Sequence, residues 1–220
     1  MNVSALVAEI EARVERMPVR NVQLLRALRR EYSKRTTAVS PANVIKMAAA
    51  LISRQRMHRF IGDELISSRS DALRLLDRTQ LEHLGSSISS WDEVDSFACY
   101  LSGPAWRERQ VDDKTIMAWA RSGDRWWRRA ALVSTVPLNV KSRGGHGDTR
   151  RTLRICSLLV GDRDETVAKA MSWALRALAK HDAEAVREFV KKNQSGLPAL
   201  VRREVRHKLE TGRKSPRRDR

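Results

Sequence analysis

Apolar residues recur along this chain at spacings of three and four, the period of helices half-buried against a core. Val3 to Val14 reads as one amphipathic helix, and Asn21 to Tyr32 as a second with Leu24, Leu25 and Leu28 on one face. Ser40-Pro41 has the form of an N-cap followed by proline at the first helical position. The helix it opens carries Val44, Ile45, Ala48, Ala49 and Ile52 as its apolar stripe. Shorter patterns cover Asp71 to Leu76 and Gln80 to Leu84. Ser90 is placed to cap a helix starting at Trp91, with Glu93 at or near its N3 position. The pattern predicts that this helix runs to about Leu101 and stops at Ser102-Gly103-Pro104.

The second half repeats the theme. Asp113 to Ala120 is followed by a break at Gly123, then by a helix over Arg125 to Val136 capped by Asp124. Asp148 opens a helix to Leu159, and Asp164 opens another to Lys180. The stripe of the latter is Val167, Ala170, Met171, Ala174, Leu175 and Leu178. Asp182 to Lys192 and Pro198 to Leu209 complete the set, and no stretch alternates convincingly as a strand. Short helix pairs joined by brief turns predict an all-α chain, an α-solenoid of HEAT-like antiparallel pairs with a concave basic groove. Residues 1–210 would form one domain and 211–220 a basic, disordered tail. Among the tryptophans, Trp106, Trp119, Trp126 and Trp127 are expected in the core or at helix edges. Gly144-Gly145-His146-Gly147 lacks the strand before it and the lysine after it that a phosphate loop needs, and is expected to be a mobile connection.

Composition narrows the partner. Forty-three Lys and Arg against 26 Asp and Glu give a net charge of +17. The tail contributes Arg213, Lys214, Arg217, Arg218 and Arg220 against Asp219, so most of the excess belongs to the body. Such a surface favours nucleic acid, because neutralised phosphates release counterions; an anionic membrane surface is second. No apolar run reaches the ~18–20 residues of a spanning helix, and Met1 to Glu15 lacks a secretory core. Cys99 and Cys156 lie in apolar patterns and read as buried free thiols of a cytoplasmic protein, associated with the nucleoid when bound to DNA. The five histidines form no ligand spacing, so no metal and no other cofactor is expected.

Trp91-Asp92-Glu93-Val94-Asp95 adds a cue that phosphate binding does not need. Trp91 and Asp95 stand one helical turn apart and so share a face. An aromatic ring beside a carboxylate suits a cation, whereas the chain as a whole suits a polyanion. DNA carrying a positively charged, alkylated base is both. Four stretches then resemble, in order, the AlkD-type DNA alkylation repair glycosylases. They are Trp91 to Ser96, Asp124 to Leu132 (DRWWRRAAL), Ala170 to Lys180 (AMSWALRALAK), and Pro198 to Glu204. The likeness spans roughly Ser90 to Leu209.

The resemblance implies HEAT-like repeats curved around duplex DNA and hydrolytic excision of N3- and N7-alkylated purines, without flipping the base. It implies Trp91 and Trp173 near the sugar of the lesion, Asp95 by the scissile bond and Arg129 at the backbone. Arg128 is a more general phosphate contact or plain surface. Arg176 and Lys180 on the tryptophan helix, and Arg202 and Arg203 on the closing helix, are further candidates for DNA contact, although Arg202, Arg203 and Arg206 could equally face water. Duplex DNA with alkylated purines is the implied partner of a monomer, with no membrane and no obligate protein partner. Ser90 stands where the family often has another tryptophan, and Ser33 to Ala38 replaces an aromatic-and-glycine element. A non-catalytic helical-repeat protein that binds damaged or branched DNA is the alternative. A protein-interaction scaffold explains the helices but leaves the basic body unexplained.

Overall fold

The computed structural model describes residues 2–19, 21–54 and 56–213. Those residues are 72% helix, without a strand, and are compatible with an α-solenoid. The chain divides into two compact units, Met1–Ala105 and Trp106–Arg220. The expected disordered tail falls, from residue 214 onward, outside the described residues.

The first unit holds α1 (Val3–Glu15), α2 (Val22–Arg35), α3 (Pro41–Ile52), α4 (Arg56–Ser67), α5 (Ser70–Leu73), α6 (Arg78–Gly85) and α7 (Trp91–Phe97). Helices α3 and α4 pack along their length, α1 lies on α3, α2 on α4, and α4 on α7. Thus α2, α4 and α7 form one row, as the second helices of stacked pairs do. Ile10, Val14, Leu25, Leu28, Tyr32, Met47, Leu51, Ile61 and Leu65 form the core. Gly62 lets α4 settle closely on α3, since a Cβ there would meet the Ala48 carbonyl and Ile52. Met47 and Leu51 bury fully, whereas Ile45 and Ala49 of the expected stripe are only half-buried.

Two features depart from the sequence reading. Helix α4 was not anticipated, because its buried face carries His58, Arg59, Asp63 and Glu64 beside Ile61, Leu65 and Ile66. Nor does the helix starting at Trp91 stop at Gly103-Pro104. It widens into a π turn over Ala98–Ser102 and runs on as α8 (Gly103–Arg107). The amide of Gly103 bonds the Ala98 carbonyl, five residues back. A widened turn ahead of Pro104 is one way a helix accommodates a ring that would otherwise meet the carbonyl four residues earlier.

The second unit holds α9 (Asp113–Ala120), α10 (Arg125–Val133), α11 (Val136–Asn139), α12 (Thr149–Leu158), α13 (Glu165–Leu178), α14 (Ala183–Lys192) and α15 (Ala199–Thr211). Asp112, Asp124, Asp148, Asp164 and Asp182 each cap the helix that follows, accepting from its first-turn amides. Helix α13 is the spine: α10 packs on one flank and α15 on another, with α12 alongside. Its predicted stripe from Val167 to Leu178 is buried in full.

The glycine-rich connection is tied down rather than open. Gly145 donates to the Val140 carbonyl and Gly147 to that of Leu138. Arg107 donates to the Arg143 carbonyl. Asn139, fully buried, donates to Thr135 and Thr152 and accepts from the Asp148 amide. The loop therefore seats the cap of α12. Among the described residues no helix is long and apolar enough to cross a membrane.

Candidate nucleic-acid interface

Trp91 and Asp95 stand on α7 of the first unit; Arg129 and Trp173 stand on α10 and α13 of the second. In each unit the candidate residues belong to the row formed by second helices, α2–α4–α7 in one and α10–α13–α15 in the other.

Trp91 is the first residue of α7 and is 57% exposed. Most tryptophans bury most of their surface, so this ring contributes little to the core and is available to a ligand. Asp95 is half-buried one turn further on. The start of α7 is fastened by Glu93. Its carboxylate accepts from the Ser89 amide at 2.9 Å, from the Ser90 hydroxyl at 2.9 Å and from the Ser89 hydroxyl at 3.2 Å. This is one arm of a capping box shifted by a residue, since Ser90 itself makes no side-chain cap bond. Arg59 of α4, 1% exposed, fixes the approach to α7 by donating to the Leu84 carbonyl and the Ser87 hydroxyl.

In the second unit the paired arginines have structural partners. Arg129 is buried and donates to the Thr166 carbonyl at 2.5 Å, tying α10 to the first turn of α13. Arg128 bonds the Asp162 carboxylate at 2.7 Å and the Ser122 and Gly123 carbonyls. Trp119 and Trp106 are buried, Trp127 packs on Trp119 at 4.8 Å between centroids, and Arg125 lies over Trp126. Trp173 is half-buried on α13.

Trp173 and Arg176 share one face of α13 by their spacing, and Lys180 follows in the turn after it. Arg176 donates to the Ser172 hydroxyl at 3.1 Å and lies 3.6 Å from Glu204 of α15, to which Ser172 also donates at 2.6 Å. Burial lowers the guanidinium pKa of Arg176 and Glu204 partly restores it. Lys208, one turn beyond Glu204, has its pKa lowered by burial and then by repulsion from Lys180 and Arg176. Three cations thus crowd the α13–α15 surface, an arrangement that a polyanion relieves. Lys208 escaped the sequence reading; its only signal was the four-residue step from Glu204 on the closing helix. Arg202 and Arg203 do not act as a pair. Arg202 lines a hollow of about 440 Å³ between α14 and α15 with Arg187, Lys191 and Arg206, whereas Arg203 is exposed.

Cys99 and Cys156 are buried and free, and burial pushes the Cys156 thiol up to about 12. Among the described residues no group of three or more His, Cys, Asp or Glu stands together as a metal site would need.

One family model matches the chain, that of the DNA alkylation repair enzymes, over residues 15–209. The match therefore reaches back into the first unit, well before Ser90. No curated protein matches the chain.

Proposed function

The chain belongs to the family of DNA alkylation repair enzymes, and we propose that within it the protein is a monofunctional DNA glycosylase. It hydrolyses the N-glycosidic bond of N3- and N7-alkylated purines in duplex DNA, leaves an abasic site, and does so without turning the base out of the stack. The observation that carries this reading is the exposed ring of Trp91 one turn ahead of Asp95 on a fastened helix start.

Alkylation at N3 or N7 puts positive charge on the purine and makes it a good leaving group. As the bond breaks, oxocarbenium character develops on the deoxyribose. A carboxylate held beside it stabilises that charge and orients or deprotonates the attacking water; Asp95 takes this role. The leaving base is already charged, so no acid is needed to protonate it. Trp91 and Trp173 offer electron-rich faces to the sugar and the cation, worth ~0.5–2 kcal/mol each. That selects charged lesions but leaves most of the rate to Asp95 and to positioning, since each ~1.4 kcal/mol is tenfold.

Arg176, Lys180 and Lys208 bind the phosphates, with Arg203 as an outlying contact. Arg129 supports the same face from below by holding α10 on α13, and Arg128 closes the turn before α10. The protein works as a monomer on DNA and needs no cofactor.

The test is release of free 7-methylguanine and 3-methyladenine from methylated duplex DNA by the full-length chain. Release well above spontaneous depurination is expected. Folded, DNA-binding protein that releases neither base would sink the activity on simple lesions and favour a non-catalytic binder of damaged DNA.

A further inference from the structure

The helix that carries Trp91 and Asp95 rests on an unusual floor. Asp63, on α4, is completely buried, with no exposed surface. Among the described residues neither of its carboxyl oxygens finds a hydrogen bond of ordinary geometry. The groups that face it are Arg59 and Glu64 from its own helix, and Glu93 and the Ser96 hydroxyl from α7. Glu64 is itself held by Arg26 at 2.9 Å and Arg29 at 3.2 Å from α2. Helix α3 meets this part of α4 at Gly62 through Ala48 and Ile52.

The charges do not balance when every acid is ionised. Arg59 is buried, and its nearest carboxylate partner is Glu93 at 3.9 Å. With Asp63 neutral, this inner group is one cation and one anion. With Asp63 ionised, a second buried anion joins a single buried cation, and a buried charge without full pairing is costly. Burial accordingly pushes the Asp63 carboxyl up to about 7, against the opposing pull of Arg59 and Ser96. A leucine would fill such a site at no electrostatic cost. The carboxyl sits instead against Ser96, the residue next to Asp95, and beside the arginine and glutamate that fasten residues 84 to 90.

Building on the glycosylase reading, we infer that Asp63 is a proton-linked positioning residue: through Arg59, Glu93 and Ser96 it sets how firmly the start of α7, and with it Trp91 and Asp95, is seated on α4. Protonated, it leaves Arg59 to Glu93 and the α7 entry is firm. Ionised, it draws Arg59 and the Ser96 hydroxyl toward itself and the entry loosens. Asp63 does not touch DNA; it acts through the helix above it.

Amide hydrogen exchange of residues 84–95 in the full-length chain, corrected for intrinsic exchange, tests this without requiring activity. Between pH 5 and 7, wild-type protection should fall by up to about tenfold per pH unit, the slope for an opening that releases one proton, and it should level off above about pH 7.5, where the closed state is already ionised. Asp63→Asn, which cannot ionise, should stay flat at the low-pH level; Ser96→Ala should keep the pH dependence with its midpoint moved upward. Equal pH courses for wild type and Asp63→Asn would overturn the inference, as would a flat wild type. In parallel, the wild-type rate of base release should bend near pH 7 and that of Asp63→Asn should not, with DNA affinity unchanged. Absence of base release at every pH would refute the glycosylase reading and leave exchange to decide the role of Asp63.

Discussion

The stability of the protein should carry the signature of Asp63, and the size of the effect can be worked out. Its carboxyl titrates near 3.8 when solvated and about 7 in the fold. A raised folded-state pKa means that the folded chain holds the proton more tightly. The stabilisation is therefore complete below about pH 4 and is lost as pH rises through about 7. Three units at 1.36 kcal/mol each put the whole effect at ~4 kcal/mol. Between pH 5.5 and 8.5 the remaining loss is about 2 kcal/mol. This window avoids the acids whose pKa is lowered, among them Glu9 and Asp71, both at about 2 through their bonds to Arg35 and Arg69, and Glu31, Asp164 and Asp182; they stay ionised throughout it. Histidine titration is common to both proteins and cancels when wild type is compared with Asp63→Asn. Urea unfolding at half-unit steps of pH should show the wild type losing about 2 kcal/mol more than the variant across the window. Parallel stability curves would refute the argument that this buried carboxyl is neutral at low pH.

Further outcomes follow from other parts of the molecule. Trp91→Ala should leave the unfolding free energy within ~0.5 kcal/mol, because the ring is exposed, while base release falls roughly 2- to 30-fold; a large loss of stability would return the ring to a packing role. Lys208→Ala should weaken DNA binding and reduce the slope of log affinity against log salt by about one, read by fluorescence anisotropy at several salt concentrations; an unchanged slope would remove Lys208 from the interface. Gly145→Ala should cost ~1–3 kcal/mol in thermal unfolding, because its Cβ would run into the backbone of Pro137 to Asn139; an unchanged midpoint would mean that the loop does not pack as described.

How legible this protein was varied with the kind of residue that decides each element. Helix α13 could be read directly, since its buried positions are all apolar and an aspartate caps it. The aspartate caps of α10, α12 and α14 were equally plain, because capping is local chemistry. Helix α4 was not, because its buried face is half polar: Arg59, Asp63 and Glu64 break the apolar period, and Arg59 and Glu64 find their partners on α2, α6, α7 and the turn before α7. The continuation through Gly103-Pro104 depends on a π turn that no local rule announces. At the candidate interface, Trp91 and Asp95 were legible from one-turn spacing. The burial of Arg129 was not, because its acceptor is a carbonyl on another helix. Arg202 and Arg203, adjacent in sequence, separate because helix neighbours point about 100° apart and only one of them faces α14.

The most direct test of the central claim is single-turnover release of 7-methylguanine from methylated duplex DNA by wild type and Asp95→Asn, with DNA affinity measured on the same samples. The account predicts that the variant binds DNA as the wild type does and loses base release by at least about a hundredfold, the ~2.7 kcal/mol expected of a group that stabilises the developing charge. Release by Asp95→Asn at the wild-type rate would contradict it.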